Sequence, residues 1–118
     1  MKTSEQIFDK NGKYITDKNY TEILRLDEML TEANIPHITE KFLDGWCVLY
    51  PTKENPVADA VEHYGSYGNS ANRLEIMGLL TEEEEKHDSV KGWLTAEDVF
   101  ERMSKHYNNQ LKNQEVVK

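Results

Sequence analysis

Apolar residues recur at helical spacing in two parts of this chain. The first stripe consists of Ile23, Leu26, Leu30 and Ala33. It predicts a helix from about Tyr20 to Ala33, with Asn19 and Glu22 placed as a capping box at its start. Pro36 follows closely and prevents the helix from continuing, because proline lacks the amide hydrogen that the next turn needs.

The second helical stripe lies near the end of the chain and consists of Val99, Phe100, Met103 and Tyr107. It predicts a last helix that begins just after Thr95. After Asn108 the sequence becomes polar, and we predict that residues 109–118 form a frayed tail.

Two further helix starts are predicted in the middle of the chain. Ser70 is a residue type that caps helices, and a helix from it would run through Leu74 and Met77. Thr81 and Glu84 have the spacing of a capping box, so a new helical turn is predicted to begin after Thr81.

Three runs that follow the first helix have the composition of strands. They cover Pro36–Phe42, Trp46–Tyr50 and Val57–Tyr64. The second run is apolar on both faces, which is typical of a central strand. The Asp44-Gly45 turn and the other short connections favour antiparallel pairing of the three strands.

The N-terminal residues centre on Asn11-Gly12, a pair that tolerates the positive φ angles of a tight hairpin turn. We therefore predict an N-terminal hairpin extension over residues 1–18, one domain over residues 19–108 and the polar tail beyond it. The predicted class is α+β: a small antiparallel sheet of three or more strands with helices packed on one face. A length of 118 residues suits a single domain.

The charge of the chain is strongly negative and unevenly placed. The formal net charge is −8. Such a chain repels nucleic acid, whose affinity for proteins depends on lysine and arginine, and no direct nucleic-acid binding is expected. Between Thr81 and Glu101 there are eight acidic residues and two lysines. This segment is either a solvated surface or an acidic face for a basic partner. The acidic partner face would consist of Glu82, Glu83, Glu84 and Asp88.

The cysteine content and the N-terminus indicate a compartment. Cys47 is the single cysteine, so no intramolecular disulfide can form, and it lies in an apolar run where a buried, inert thiol is expected. The N-terminus lacks the basic and apolar regions of a secretory signal, and no apolar stretch is long enough to span a membrane. We expect a cytoplasmic protein that does not bind membranes.

One loop combines glycine, aromatic and hydroxyl residues between a predicted strand and a predicted helix. The residues that could contact a ligand or a partner there are His63, Tyr64, Ser66, Tyr67, Asn69 and Arg73. A strand, a glycine-bearing turn and a helix N-terminus form a geometry that binds anions. The complete phosphate-binding motifs are absent, however, and a plain glycine-permitted turn is the alternative.

Catalytic and metal sites find little support in the sequence. Ser66 has only half of the glycine pattern of a nucleophile elbow, because Tyr64 occupies the position where the first glycine is needed. Cys47 and the four histidines are not spaced as paired metal ligands, so no metal or cofactor is expected. Aromatic residues cluster in the centre of the chain, and they are typical either of core packing or of a protein interface. An enzyme is therefore less favoured than a binding protein.

Three blocks of the sequence resemble a known group of proteins. They are residues 62–68 (EHYGSYG), residues 74–81 (LEIMGLLT) and residues 88–100 (DSVKGWLTAEDVF). They are similar to a family of small hypothetical proteins from phages and prophages of Gram-positive bacteria. The resemblance covers roughly Ile23 to Met103. It supplies no catalytic residues, and it implies a small accessory protein in the cytoplasm of a bacterial host.

These observations lead to two functional hypotheses. The first is a phage accessory protein that binds a host protein without catalysis, with inhibition of a defence system as one form of that role. The alternative is a protein that binds a small ligand, a nucleotide or another anion, at the turn formed by residues 63–73. A homo-oligomer also stays open, because one edge of the predicted sheet has no partner strand.

Overall fold

A computed structural model of the chain describes residues 20–117, with side chains described through residue 113. The predicted N-terminal hairpin and the predicted cap at Asn19 lie outside these residues. The elements are α1 (Thr21–Glu32), β1 (Ile38–Phe42), β2 (Gly45–Tyr50), β3 (Ala58–Glu62), a 3₁₀ turn (Asn69–Ala71), β4 (Leu74–Met77), α2 (Glu82–His87), β5 (Val90–Leu94) and α3 (Ala96–Val117).

The five strands form one antiparallel sheet in the order β1-β2-β3-β4-β5. Each strand pairs with its neighbour in sequence. The short connections after β1 and β2 leave no room for a crossover, so those neighbours must be antiparallel. Three helices pack against the sheet, so the predicted α+β class with an antiparallel sheet is confirmed.

The two longer helices cover one face of the sheet, which we call the inner face. α1 packs on β2 and β3, α3 packs on β4 and β5, and the two helices also contact each other. The predicted stripe of α1 is buried at Ile23, Leu26 and Leu30, but Ala33 follows the helix and is exposed. The predicted stripe of α3 is buried at Val99 and Met103. The sheet contributes Tyr50, Val48, Ala58, Ala60, Leu74 and Ile76 to the same core.

The helix predicted from Ser70 is wrong. Ser70 lies in a 3₁₀ turn of three residues, and residues 74–77 form β4, in which Leu74 and Ile76 are buried. The spacing of three between Leu74 and Met77 suggests a helix. In the structure, alternate residues of this segment point to opposite faces of the sheet, so Leu74 and Ile76 face the core and Met77 lies on the other face. Gly78, with a φ of +91°, follows the strand directly.

Two other elements extend further than predicted. The sequence suggests only a short extended segment from Val90 to Trp93, whereas the structure has a full strand there, β5, which forms the sheet edge next to β4. α3 continues to Val117, past Asn108 where a frayed tail was predicted. The segment after Asn108 lacks glycine and proline, so nothing in it interrupts a helix that has already begun.

The start of α1 is held by side chains from distant elements. Tyr20 precedes the helix with a φ of +49° and its hydroxyl donates to the Asp44 carboxylate in the β1–β2 turn. The fully buried Glu62 of β3 accepts the Ile23 N–H at 3.1 Å. Glu22, which was predicted to cap α1, accepts the Ala96 N–H at 2.6 Å and so caps α3.

Candidate functional site

The loop between β3 and β4 is shaped by its own hydrogen bonds. The Ser66 hydroxyl donates to the His63 carbonyl at 2.9 Å and accepts the His63 N–H at 3.1 Å. The Tyr64 N–H donates to Asp44 Oδ1 at 3.0 Å, and Asn69 Nδ2 donates to the Tyr64 carbonyl at 3.4 Å. Because Ser66 is buried, its hydroxyl serves the loop and is not presented to solvent.

Two glycines allow this loop to lie directly on β5. A Cβ on Gly92 would lie 2.3 Å from Tyr67 Cβ, and a Cβ on Gly68 would lie 2.8 Å from the Trp93 amide nitrogen. Gly68 also has a φ of +96°, which glycine adopts without steric cost. The Trp93 N–H donates to the Tyr67 carbonyl at 3.3 Å. The glycines therefore allow the backbone of the Tyr67 loop to pack against the backbone of Gly92 and Trp93.

Trp93 lies in an irregularity of the sheet edge. Leu74 pairs with Leu94 and Ile76 pairs with Lys91, so two residues of β5, Gly92 and Trp93, lie opposite one residue of β4. This is a β-bulge, a feature that redirects a side chain. Trp93 has a φ of +63° and its side chain is 60% exposed. A bulky residue at positive φ is strained, and here its large apolar surface faces solvent.

The acidic helix α2 lies next to this aromatic pair. Its start is the predicted capping box: Thr81 Oγ1 accepts the Glu84 N–H at 3.1 Å, and Glu84 Oε1 accepts the Thr81 N–H at 2.9 Å. α2 and β5 border a groove of about 470 Å³, which we call the α2–β5 groove. It is lined by Tyr67, Glu83, Glu84, His87, Asp88, Val90, Lys91, Gly92 and Trp93.

The carboxylates that line the groove differ in how far they are already engaged. Glu83 has only a 3.7 Å contact with His87, and both side chains are exposed. Asp88 accepts the Ser89 N–H at 2.7 Å and is also exposed. Glu84 is committed within the fold, because both of its oxygens bind Arg102, at 2.8 Å and 2.7 Å. Glu83 and Asp88 are therefore the acidic groups that a partner can reach.

The ion pair between Glu84 and Arg102 stabilises the contact of α2 with α3. Arg102 also donates to the Leu79 carbonyl at 2.9 Å. The hydrogen bonds from Arg102, and that from the Thr81 backbone, lower the pKa of Glu84 from 4.5 to about 2. Because this pKa is lowered in the folded state, the stabilisation is complete above pH 4.5 and is lost as the pH falls through about 2.

We expect Arg102→Met to lower the free energy of unfolding by about 1–2 kcal/mol at neutral pH, since a half-buried bidentate pair is lost. The difference from the unsubstituted protein should shrink at pH 3, where the native-state advantage of ionised Glu84 has partly disappeared. Urea unfolding at both pH values measures this difference in the free energy of unfolding. Lys105→Met, an exposed substitution on the same helix, is the control and should change stability little; an equal loss in both variants would contradict the role of the pair.

The predicted site residues do not all meet in the groove. Tyr67, Glu83, Glu84 and Asp88 line it, whereas Glu82 does not. His63 lies at the other end of the loop, where its ring contacts Phe42 with centroids 5.2 Å apart. Sequence reasoning missed the part of the groove that β5 forms. The Gly92-Trp93 pair was the feature of the sequence that could have indicated it, because glycine inside a strand often marks a bulge.

The predicted anion-binding geometry lacks its helix. The 3₁₀ turn after the loop has three residues, too few to present a helix N-terminus to a ligand. Arg73 Nη1 donates to the carbonyls of Ala71 and Asn72 at 3.1 and 3.3 Å, so the guanidinium folds back on its own loop. Binding of a small anion by residues 63–73 stays a prediction, which a thermal-shift screen with nucleotides would test.

Within residues 20–117, no three histidine, cysteine or carboxylate side chains converge closely enough to hold a metal ion. None of the helices in this part of the chain has the length and apolar character needed to cross a bilayer. Comparisons with protein-family models, curated proteins and solved structures found no match to this chain.

Proposed function

We propose that this protein works by binding another protein through the α2–β5 groove, without catalysis. The observation that carries the proposal is Trp93, which is held at a φ of +63° in a bulge and is 60% exposed. Folding gains little from an aromatic side chain that stays mostly in water, while the backbone strain costs roughly 1–3 kcal/mol. Binding of a partner over Trp93 would bury that surface and offset the strain.

The neighbours of Trp93 support a protein as the ligand. Tyr67, 56% exposed, lines the same groove, and its backbone carbonyl accepts the Trp93 N–H, so two large exposed aromatic residues border one site. Tryptophan and tyrosine are the residues that most often dominate the binding energy of protein interfaces, because they bury a large area with few rotatable bonds. The open groove beside them suits a side chain or a chain segment of a partner better than an enclosed metabolite.

The charge of the groove indicates what the partner presents. Glu83 and Asp88 are exposed carboxylates at its rim, and the single lysine of the lining, Lys91, lies close enough to Glu84 to lower the pKa of that group. A lysine or arginine of the partner could pair with Glu83 or Asp88 and lie over the Trp93 ring, where cations are attracted to aromatic faces. The partner is thus a protein with a basic, exposed segment.

The resemblance to phage and prophage proteins supports a host protein of the bacterial cytoplasm as the partner. A component of a host defence system, inhibited by occupation of its basic surface, is the specific form of the proposal. Proteins with nucleic-acid substrates carry such surfaces, because contact with phosphates requires lysine and arginine.

A pull-down from lysate of a Gram-positive host, with matched variants, tests the groove. Trp93→Asn removes the indole while keeping a residue that tolerates positive φ, and Glu83→Lys/Asp88→Lys reverses the rim charge. We expect each change to lower the affinity for the captured protein at least tenfold, which corresponds to about 1.4 kcal/mol. Thermal unfolding should show that both variants remain folded.

Two control variants match these changes elsewhere on the surface. Leu43→Asn removes a side chain that is 61% exposed at a φ of +55°, close to the values for Trp93. Glu28→Lys/Glu32→Lys changes the net charge by the same amount on α1, where both residues are exposed. If the controls weaken binding as much as the groove variants, or if the groove variants bind normally, the groove is not the binding site.

A further inference from the structure

The face of the sheet opposite α1 and α3, which we call the outer face, has an ordered arrangement of side chains. Residues paired across neighbouring strands point to the same face, so the register defines rows of side chains. One row contains Ile38, Leu49, Asp59, Met77 and Val90, and the adjacent row contains Glu40, Cys47, Val61 and Glu75. The first row is apolar except for one carboxylate on the central strand.

Much of this face is exposed in the part of the chain that the structure describes. Met77 is 50% exposed, and Ile38 and Phe42 are each 41% exposed. A depression of about 330 Å³ lies on the face; it is lined by Glu40, Phe42, Cys47, Leu49, Lys53, Asp59 and Val61. An apolar sheet face of this kind is typical of a surface that another chain covers.

Asp59 is the distinctive group of the outer face. It is half-buried between the side chains of Leu49 and Met77, and no described residue forms a hydrogen bond or ion pair with it. Burial, and then the nearby Glu75 carboxylate, raise the pKa of Asp59. The other two carboxylates are occupied, since Glu40 pairs with Lys53 at 3.1 Å and Glu75 accepts the Tyr67 N–H at 2.9 Å.

The charges decide which kind of partner fits. A second copy of this chain would bring the Glu40, Asp59 and Glu75 carboxylates of both copies into one interface, and each chain has a formal net charge of −8. Like charges brought together at a buried interface are strongly unfavourable, so self-association through this face is disfavoured. A cation, by contrast, would neutralise the Asp59 carboxylate, which has no ion-pair partner among residues 20–113.

We propose that the outer face docks a partner segment in which an arginine or lysine is flanked by aliphatic residues. The cation binds Asp59, its aliphatic stem lies over Leu49 and Met77, and the flanking residues cover Val61 and Phe42. Long basic side chains suit this surface because their stems are apolar and only their ends carry charge. This second surface does not depend on the α2–β5 groove.

Asp59→Asn separates the binding role of Asp59 from its effect on the fold. The raised pKa means that the ionised carboxylate destabilises the folded state above that pKa, and that this penalty disappears as the pH falls below the ordinary value. Asp59→Asn should therefore unfold at an equal or higher temperature than the unsubstituted protein at neutral pH. It should also bind the basic segment at least tenfold more weakly. Glu28→Asn, an exposed change on α1, is the control and should alter neither property.

NMR titration of the full chain with a short blocked peptide, one arginine flanked by leucines, tests the proposal residue by residue. Versions with glutamine or glutamate in place of arginine are the matched probes. We expect the arginine peptide to shift the amide signals of Cys47, Val61 and Met77 in a saturable manner, the glutamine peptide to do so more weakly and the glutamate peptide not at all. Trp93→Asn should leave these shifts unchanged. A loss of binding at the α2–β5 groove is therefore distinguished from a loss of binding at the outer face.

Five results would overturn the proposal. The first four are the absence of shifts on the outer face at millimolar peptide, equal effects of the arginine and glutamate peptides, a dimer in the free protein that buries this face, and nuclear Overhauser contacts from residues 1–19 to Val61 or Met77. Such contacts would show that the chain covers its own outer face. An unchanged affinity in Asp59→Asn would equally remove the central contact.

Discussion

Replacing Gly45 with alanine is expected to destabilise the protein by about 3 kcal/mol or more, one of the largest effects of any single substitution in the sheet. Gly45 begins β2, and a Cβ there would lie 1.8 Å from the Glu62 carbonyl oxygen and 2.9 Å from the Glu62 carbonyl carbon. Both atoms belong to the backbone of β3, so no side-chain rotation can relieve the clash. β2 and β3 would have to separate at the end of the sheet where the start of α1 is held.

Denaturant unfolding followed by circular dichroism measures this effect. Gly65→Ala is the matched control, because the nearest atom to a Cβ on Gly65 is 3.3 Å away and belongs to the His63 side chain, which can move. We expect Gly65→Ala to change the free energy of unfolding by less than about 1 kcal/mol. If Gly45→Ala is as stable as this control, then the two strands do not approach each other as closely as the structure shows.

Truncation of Glu62 to alanine is expected to destabilise the protein by about 3 kcal/mol. The Glu62 side chain is fully buried, and its Oε1 accepts the Ile23 N–H at 3.1 Å in the first turn of α1. No side chain of the preceding residue caps this helix, so the strand supplies the acceptor. Alanine would leave a cavity beneath α1 and a buried N–H without that acceptor.

A graded series of variants distinguishes the hydrogen bond from the volume of the side chain. Glu62→Gln keeps an oxygen acceptor and nearly the same volume, so it should lose less stability than Glu62→Ala. Glu85→Ala, an exposed truncation on α2, should change the free energy of unfolding by no more than about 0.5 kcal/mol. Hydrogen exchange at the Ile23 amide supplies an independent measurement and should accelerate in Glu62→Ala. Unchanged exchange there would show that Glu62 does not hold the start of α1.

Local patterns in the sequence were sufficient for six of the nine elements within residues 20–117, namely α1, β1, β2, β3, α2 and α3. The stripes of α1 and α3 were predicted because helical periodicity needs only neighbours three and four residues apart. The capping box at Thr81 and Glu84 was predicted for the same reason, since both of its hydrogen bonds lie within one turn. Cys47 was predicted to be buried, and it is, on the outer face between two neighbouring strands.

The middle of the chain was misread where two periodicities compete. Leu74 and Met77 have helical spacing, but residues 74–77 contain only four positions, too few to distinguish a period of three or four from a period of two. Strands β3 and β5 lie on either side of residues 74–77 and supply their hydrogen-bond partners. Leu74 and Ile76 are both buried in the hydrophobic core. Pairing across the sheet therefore overrode the local preference.

The parts of the candidate site were visible in the sequence as separate features. Tyr67, with its flanking glycines, and the acidic residues Glu83 and Asp88 were each identified, but nothing in the sequence indicated that they border one groove. That arrangement depends on the bulge at Gly92 and Trp93, which comes from a mismatch in register between two strands. A register is a property of two segments together, and Gly92 by itself marks only a position where a bulge can form, not the segment that the bulge faces.

The sequence by itself determined the class of this protein: two amphipathic helices, a central apolar strand, antiparallel connections and a strongly acidic surface. Only the tertiary structure decided which distant groups meet. Glu62 accepts a hydrogen bond from the first turn of α1, Gly45 leaves room for the backbone of β3 because it has no Cβ, and the Tyr67 loop packs on Gly92. The physical reason is that periodicity and capping act between residues a few positions apart, whereas these contacts join residues about 17 to 39 positions apart, which become neighbours only when the sheet forms.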